Sequence, residues 1–229
     1  MKHSRLLFRA TVVIILFAAC RKEWSPTQQD MAEYGWTLYE QNDFVNSLDW
    51  FNNSIKDDKD YQDGYNGLGW SYGQNGFLDS AIWAFEIGLE KPRDVLLDAN
   101  VFYEILAGLT FAYSGLINDS GYVIGDTNVI YYGDSLIAMI DKTIGQSSWS
   151  FSHDSTTNYL DVHITASLSH FVLAEFDKSL KHVQAIEAAP EYTSIYQVSD
   201  PFVVDLETVL GRKQLADKID ILQERLKGI

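Results

Sequence analysis

Three groups of side chains in this sequence have types and spacings that could do chemistry. The pentapeptide Gly69-Trp70-Ser71-Tyr72-Gly73 satisfies the G-x-S-x-G spacing of a nucleophile elbow, where a serine sits on a strained turn between a buried strand and a helix. That chemistry needs an apolar strand before the serine, and Asp63-Gly64-Tyr65-Asn66-Gly67-Leu68 is a poor one. The run Asp57-Asp58-Lys59-Asp60-Tyr61-Gln62-Asp63-Gly64 has the acidity of a calcium loop. An EF-hand counted from Asp58 would need glycine and glutamate where the chain has Asp63 and Gly69. Among the histidines, His163 and His170 are separated by about 10 Å if they share a helix, too far to grip one metal together. His153 and His182 have no evident partner in the sequence, and no G-x-x-x-x-G-K segment is present to cradle phosphate. The expectation is a chain that is not an enzyme, with no catalytic site, metal or cofactor.

The lone cysteine, Cys20, excludes an intramolecular disulfide and any multi-cysteine metal site. It follows a basic start (Lys2, Arg5, Arg9) and an uncharged run from Ala10 to Ala19. At about 1.5 Å per residue that run is too short for a bilayer core of about 30 Å, and its layout is that of a secretory signal peptide over 1–19. Leu16-Phe17-Ala18-Ala19-Cys20 resembles the lipobox of bacterial lipoproteins. The resemblance implies export, cleavage before Cys20 and acylation of its thiol, with 20–27 as a linker from the lipidated cysteine. Each buried methylene of the acyl chains contributes about 0.8 kcal/mol, so several chains anchor a protein without a spanning helix. Arg21 stands where an aspartate would retain a lipoprotein in the inner membrane, which implies the outer membrane if the cell is Gram-negative.

The remainder must fold around a core, since hydrophobic residues make up 46% of the chain and aromatics 14%. Against 17 basic residues stand 32 acidic ones, a formal charge of −15, and losing the signal segment would deepen it. Such a field repels nucleic acid and anionic surfaces and favours basic partners, although plain solubility also accounts for much of it.

The elements that would position these side chains are read from an internal repeat of 34 residues. Gly35-Trp36-Thr37-Leu38 returns as Gly69-Trp70-Ser71-Tyr72, and Ser47, Phe51, Ser54 and Ile55 return as Ala81, Phe85, Gly88 and Leu89. Small residues at 35 and 69 allow two helices to approach closely, while the phenylalanines at 51 and 85 fill the seam between units. Ser71 then occupies the position that Thr37 and Thr110 fill elsewhere, so a repeat explains it without catalysis.

This pattern resembles the tetratricopeptide repeat. The resemblance implies an all-α, TPR-type α-solenoid of about four helix-turn-helix units over 28–195. Units one and two are placed at 28–61 and 62–95, with turns at Gln41-Asn42-Asp43 and Asn75-Gly76 and with Pro92 closing the second. Unit three, about 96–145, carries Gly108-Leu109-Thr110-Phe111 and a second helix from about Gly133, with Leu136 and Ile140 in its seam. Its insertion at 116–132 reads either as a small β-hairpin or, from Val129 onward, as an extension of the next helix. Unit four, about 158–193, starts near Asn158 and closes at Pro190. Over 200–229, Asp200-Pro201 suggests a short helix before Gly211, and Leu215, Ile219, Leu222 and Leu226 form the stripe of a capping helix.

In tetratricopeptide proteins the first helix of each unit faces a concave binding surface. By register, Trp36, Tyr39 and Glu40 of unit one and Asn66, Trp70 and Gln74 of unit two belong there. Large aromatics at such positions either anchor a partner or pack between helices. The functional expectation is a lipid-anchored scaffold at the cell envelope that binds a protein or peptide, and not nucleic acid. The alternative is a glycan-binding accessory lipoprotein that uses the groove aromatics.

Overall fold

The computed structural model describes residues 25–92, 99–116, 124–143, 149–198 and 200–227. The expected signal segment and the anchor at Cys20 lie outside them. Ten helices and one two-stranded hairpin form an all-α solenoid among the described residues. No helix among them is long and apolar enough to cross a membrane.

The first helix, α1 (Gln28–Glu40), starts at Thr27, which forms a capping box with Asp30 and so satisfies two backbone donors that a helix start leaves open. It turns at Asn42 (φ 62°) into α2 (Phe44–Asp57), capped by Asp43. The next pair, α3 (Gln62–Gln74) and α4 (Leu78–Glu90), turns at Gly76 (φ 77°), the equivalent position one repeat later. A left-handed residue reverses the chain at both turns, and glycine or asparagine adopts that conformation at least cost. The third pair is α5 (Ala99–Ser114) and α6 (Asp126–Thr143), and the fourth is α7 (Tyr159–Val172) and α8 (Phe176–Ala188).

Each helix packs on the next, and α1, α3, α5 and α7 also touch in series, which puts the first helices side by side on one face. Phe51 and Phe85 fill the seams as the repeat predicts, and both are fully buried, worth about 1.5–3 kcal/mol each. Phe51 lies between Gly35 of α1 and Gly67 of α3, and Phe85 between Gly69 of α3 and Gly108 of α5. A β-carbon at Gly67 would come to 2.1 Å from Phe51, and one at Gly108 to 2.2 Å from Phe85.

Three expectations need correction. The 116–132 insertion contributes no hairpin from Asp126 onward, because α6 begins at Asp126, two turns before Gly133. Val129 is buried on that extension, which is the helical alternative. The hairpin lies later, as β1 (Ser150–Phe151) and β2 (Asp154–Asn158), antiparallel with Phe151 opposite Asp154.

Secondly, Pro190 does not only close unit four. It starts α9 (Pro190–Tyr196), where its missing N–H is no loss at a first-turn position. Thirdly, Asp200-Pro201 starts no helix. Phe202 donates its N–H to Glu187 and accepts from Gln184, so α8 side chains hold this segment in an irregular course. The capping helix α10 (Val209–Leu226) starts from Thr208, with Gly211 in its first turn, where a β-carbon would strike the Asp205 carbonyl at 1.9 Å. Leu215, Ile219, Leu222 and Leu226 face α7 and α8 as the stripe requires.

Candidate functional site

The six groove residues do come to one face of α1 and α3, but that face is not open. The hairpin lies across it. The Trp36 indole stacks on the His153 imidazole at 3.7 Å with 4° between the planes, and Trp70 stacks on Phe151 at 4.0 Å and 17°. Phe151 meets Trp36 and Tyr39 edge-on at 5.9 Å each. These two stacks cover one face of each indole and leave Trp36 and Trp70 only 4% and 8% exposed.

Polar contacts fix the same arrangement. Trp36 Nε1 donates to Asp63 at 2.9 Å, and His153 Nδ1 lies 2.9 Å from Glu40 Oε1. Gln74 Nε2 donates to the Tyr39 hydroxyl at 3.2 Å, while burial pushes that hydroxyl up to about 12. Glu40 and Gln74 stay exposed at the rim, whereas Tyr39 and Asn66 are buried.

One residue that sequence reasoning missed holds the centre. Glu104 of α5 is 2% exposed. Its Oε1 accepts the Ser152 backbone N–H at 3.1 Å, and its Oε2 accepts from Asn66 Nδ2 at 2.7 Å. Burial pushes this carboxyl above the ordinary glutamate range; the Ser152 and Asn66 hydrogen bonds oppose the rise, Asp63 reinforces it and His153 counters it. Asn100 Nδ2 also donates to the Ser152 hydroxyl at 2.9 Å. The turn of the hairpin is therefore tied to α5 by backbone and side chain.

Beside the hairpin a cavity of about 360 Å³ remains, lined by Trp70, Gly73, Gln74, Phe111, Thr156 and Asp161. The Trp70 indole N–H has no hydrogen-bond partner among the described residues. A β-carbon on Gly73 would meet nothing within 4 Å.

The motifs set aside on sequence grounds can now be placed. Ser71 lies inside α3, not at a strand-to-helix turn, and its hydroxyl pairs with Ser47 at 2.8 Å in the core. The acidic run forms the turn between α2 and α3, with Asp58 capping α2 and Asp60 3.7 Å from Lys91.

The histidines behave differently from the sequence expectation. His182, which had no evident partner, comes from α8 to stand beside His163 and His170 of α7. His163 Nδ1 lies 2.9 Å from His182 Nδ1, and the Nε2 atoms of His170 and His182 each lie 3.2 Å from an oxygen of Asp134 on α6. Burial, helped by the His182 charge, lowers His163 to about 3 and keeps it neutral. Burial also acts to lower His170, but hydrogen bonds and charge from Asp134 and Glu175 outweigh it and raise the group. Spacing along a single helix could not reveal this, because the third imidazole arrives from the neighbouring one. Compared with family models and with curated proteins, the chain matches none.

Proposed function

We propose that this chain is a tetratricopeptide-type scaffold, held at the cell envelope by acyl chains on Cys20, that binds an extended segment of a protein partner. The observation that carries the reading is that the first-helix face already holds extended chain. Aromatic stacking on Trp36 and Trp70 and a backbone N–H given to Glu104 are the contacts by which a groove grips a peptide strand. Because the hairpin fills the face over units one and two, the partner segment takes the adjoining cavity at Trp70, Gln74, Phe111 and Thr156. The acidic surplus favours a basic segment. A glycan-binding role gains nothing from these contacts, since one face of each indole is already covered.

Gly73→Leu tests the site. Leucine suits a helix and starts from open space, so it fills the cavity without breaking α3. In pull-downs from envelope extracts the variant loses the partners of the wild type while keeping its circular dichroism. An unchanged set of partners rejects the cavity as the binding site. Cys20→Ser tests the anchor separately: it moves the protein from the membrane to the soluble fraction, and retention in the membrane rejects lipidation.

A further inference from the structure

The cluster on α6, α7 and α8 has the organisation of a metal centre. We propose that Asp134, His170 and His182 bind a divalent first-row transition ion such as zinc, with a fourth position open to water or a small anion. One donor atom from each residue can be chosen so that all three lie within 4.8 Å of one another. Ligands at about 2.0–2.1 Å around a tetrahedral ion are spaced about 3.3 Å apart. Asp134 Oδ1 already lies 3.4 Å from His170 Nε2 and 3.2 Å from His182 Nε2, so two edges are in place, and the edge between the two imidazoles closes from within 4.8 Å.

The outer groups orient each ligand. A metal-bound imidazole usually donates its other N–H to a carboxylate or another acceptor, which fixes the tautomer and leaves the ligating lone pair free. His170 Nδ1 lies 2.6 Å from Glu175 Oε2, and Lys178 Nζ donates to the same oxygen at 3.1 Å. His182 Nδ1 lies 2.9 Å from Nδ1 of the buried His163, whose ring nitrogen is placed to accept there. Both Nε2 atoms are thereby turned toward Asp134. Imidazole with a single carboxylate suits zinc, cobalt, nickel or iron(II), and is a poor set for calcium or magnesium, which prefer all-oxygen shells.

Access is provided as well. A cavity of about 350 Å³, lined by Asp134, Asp141, His163, Lys181 and His182, adjoins the cluster. Lys178 and Lys181 in its wall favour an anionic fourth ligand once the ion is bound. Three protein ligands beside an open position are the arrangement of reactive metal sites rather than closed structural ones.

The test uses the full chain in detergent, without a histidine tag, stripped with chelator and titrated with cobalt(II) and then zinc. The expected result is one equivalent of cobalt with the visible absorption of a four-coordinate ion, displaced by zinc. Asp134→Asn and His182→Gln abolish that absorption. Glu175→Gln, at a half-buried position, weakens zinc binding roughly 10–100-fold through His170 while leaving circular dichroism unchanged. No cobalt uptake by the wild type, or uptake equal in Asp134→Asn and His182→Gln, overturns the proposal.

Discussion

Two glycines of α3, six residues apart, should respond to alanine with opposite signs. At Gly67 a new β-carbon would stand 2.1, 2.3 and 2.4 Å from three carbons of the Phe51 ring. The ring cannot retreat, because on its other side it already meets Gly35, where a β-carbon would lie only 2.8 Å away. Overpacking costs about 1–3 kcal/mol, three ring contacts below 2.5 Å put this site at the top of that range, and removing a mid-helix glycine returns at most about 1 kcal/mol, so Gly67→Ala should lose about 2 kcal/mol net. At Gly73 nothing stands within 4 Å, so Gly73→Ala should gain about 0.4–1 kcal/mol by restricting the unfolded chain. Urea unfolding followed by circular dichroism reads both, as a lowered midpoint for the first and a raised midpoint for the second. In a chain of this size each kcal/mol is worth about 2–4 °C in Tm. Phe51→Leu should partly rescue Gly67→Ala, because the smaller side chain makes room. A Gly67→Ala protein as stable as the wild type would refute the close-packed seam on which the solenoid depends.

Other perturbations test the hairpin and the discarded motif. Phe151→Ala removes a fully buried ring stacked on Trp70 and should cost about 3–5 kcal/mol, with a shift in tryptophan fluorescence; a normal midpoint would show that the hairpin contributes little. Glu104 has a folded pKa above its ordinary value, so between the two the native state holds a proton that the unfolded state has shed. Stability should therefore fall as pH rises through that window, and Glu104→Gln should flatten the fall; parallel stability–pH curves for the two proteins would contradict the burial argument. Ser71→Ala should cost about 0.5–1.5 kcal/mol for its bond to Ser47, and a serine-directed fluorophosphonate probe should leave the wild type unlabelled. Stoichiometric labelling of Ser71 would reopen the nucleophile reading.

The helical pairs were legible because the contacts that make them recur. Gly35 and Gly69 face Phe51 and Phe85 at one constant offset, so sequence self-similarity reports a physical contact. Gly67 was not legible as the second wall of the Phe51 slot, because its counterpart Gly108 is displaced by the irregular third unit. The hairpin escaped for another reason. Ser150 to Asn158 is short and rich in serine and threonine, and its burial comes from rings on distant helices, not from its own pattern. Register grouped Trp36 with Trp70, yet nothing in either residue distinguishes an indole awaiting a partner from one already covered. The partners of His182 escaped because they lie on another helix, and α7 and α8 fold back to bring it against His163 and His170.

The hairpin also changes how the array behaves as a polymer. An ordinary solenoid resembles a spring whose coils touch only their neighbours, so it can fray from either end one coil at a time. Here His153 reaches Glu40 across 113 positions of chain, and Ser152 reaches Glu104 across 48, which buckles the first coil to the third. The spring becomes a closed clasp. Such distant closures slow the search for the native state and link the fate of units one to three, so these repeats should melt in a single step and resist being pulled apart in sequence.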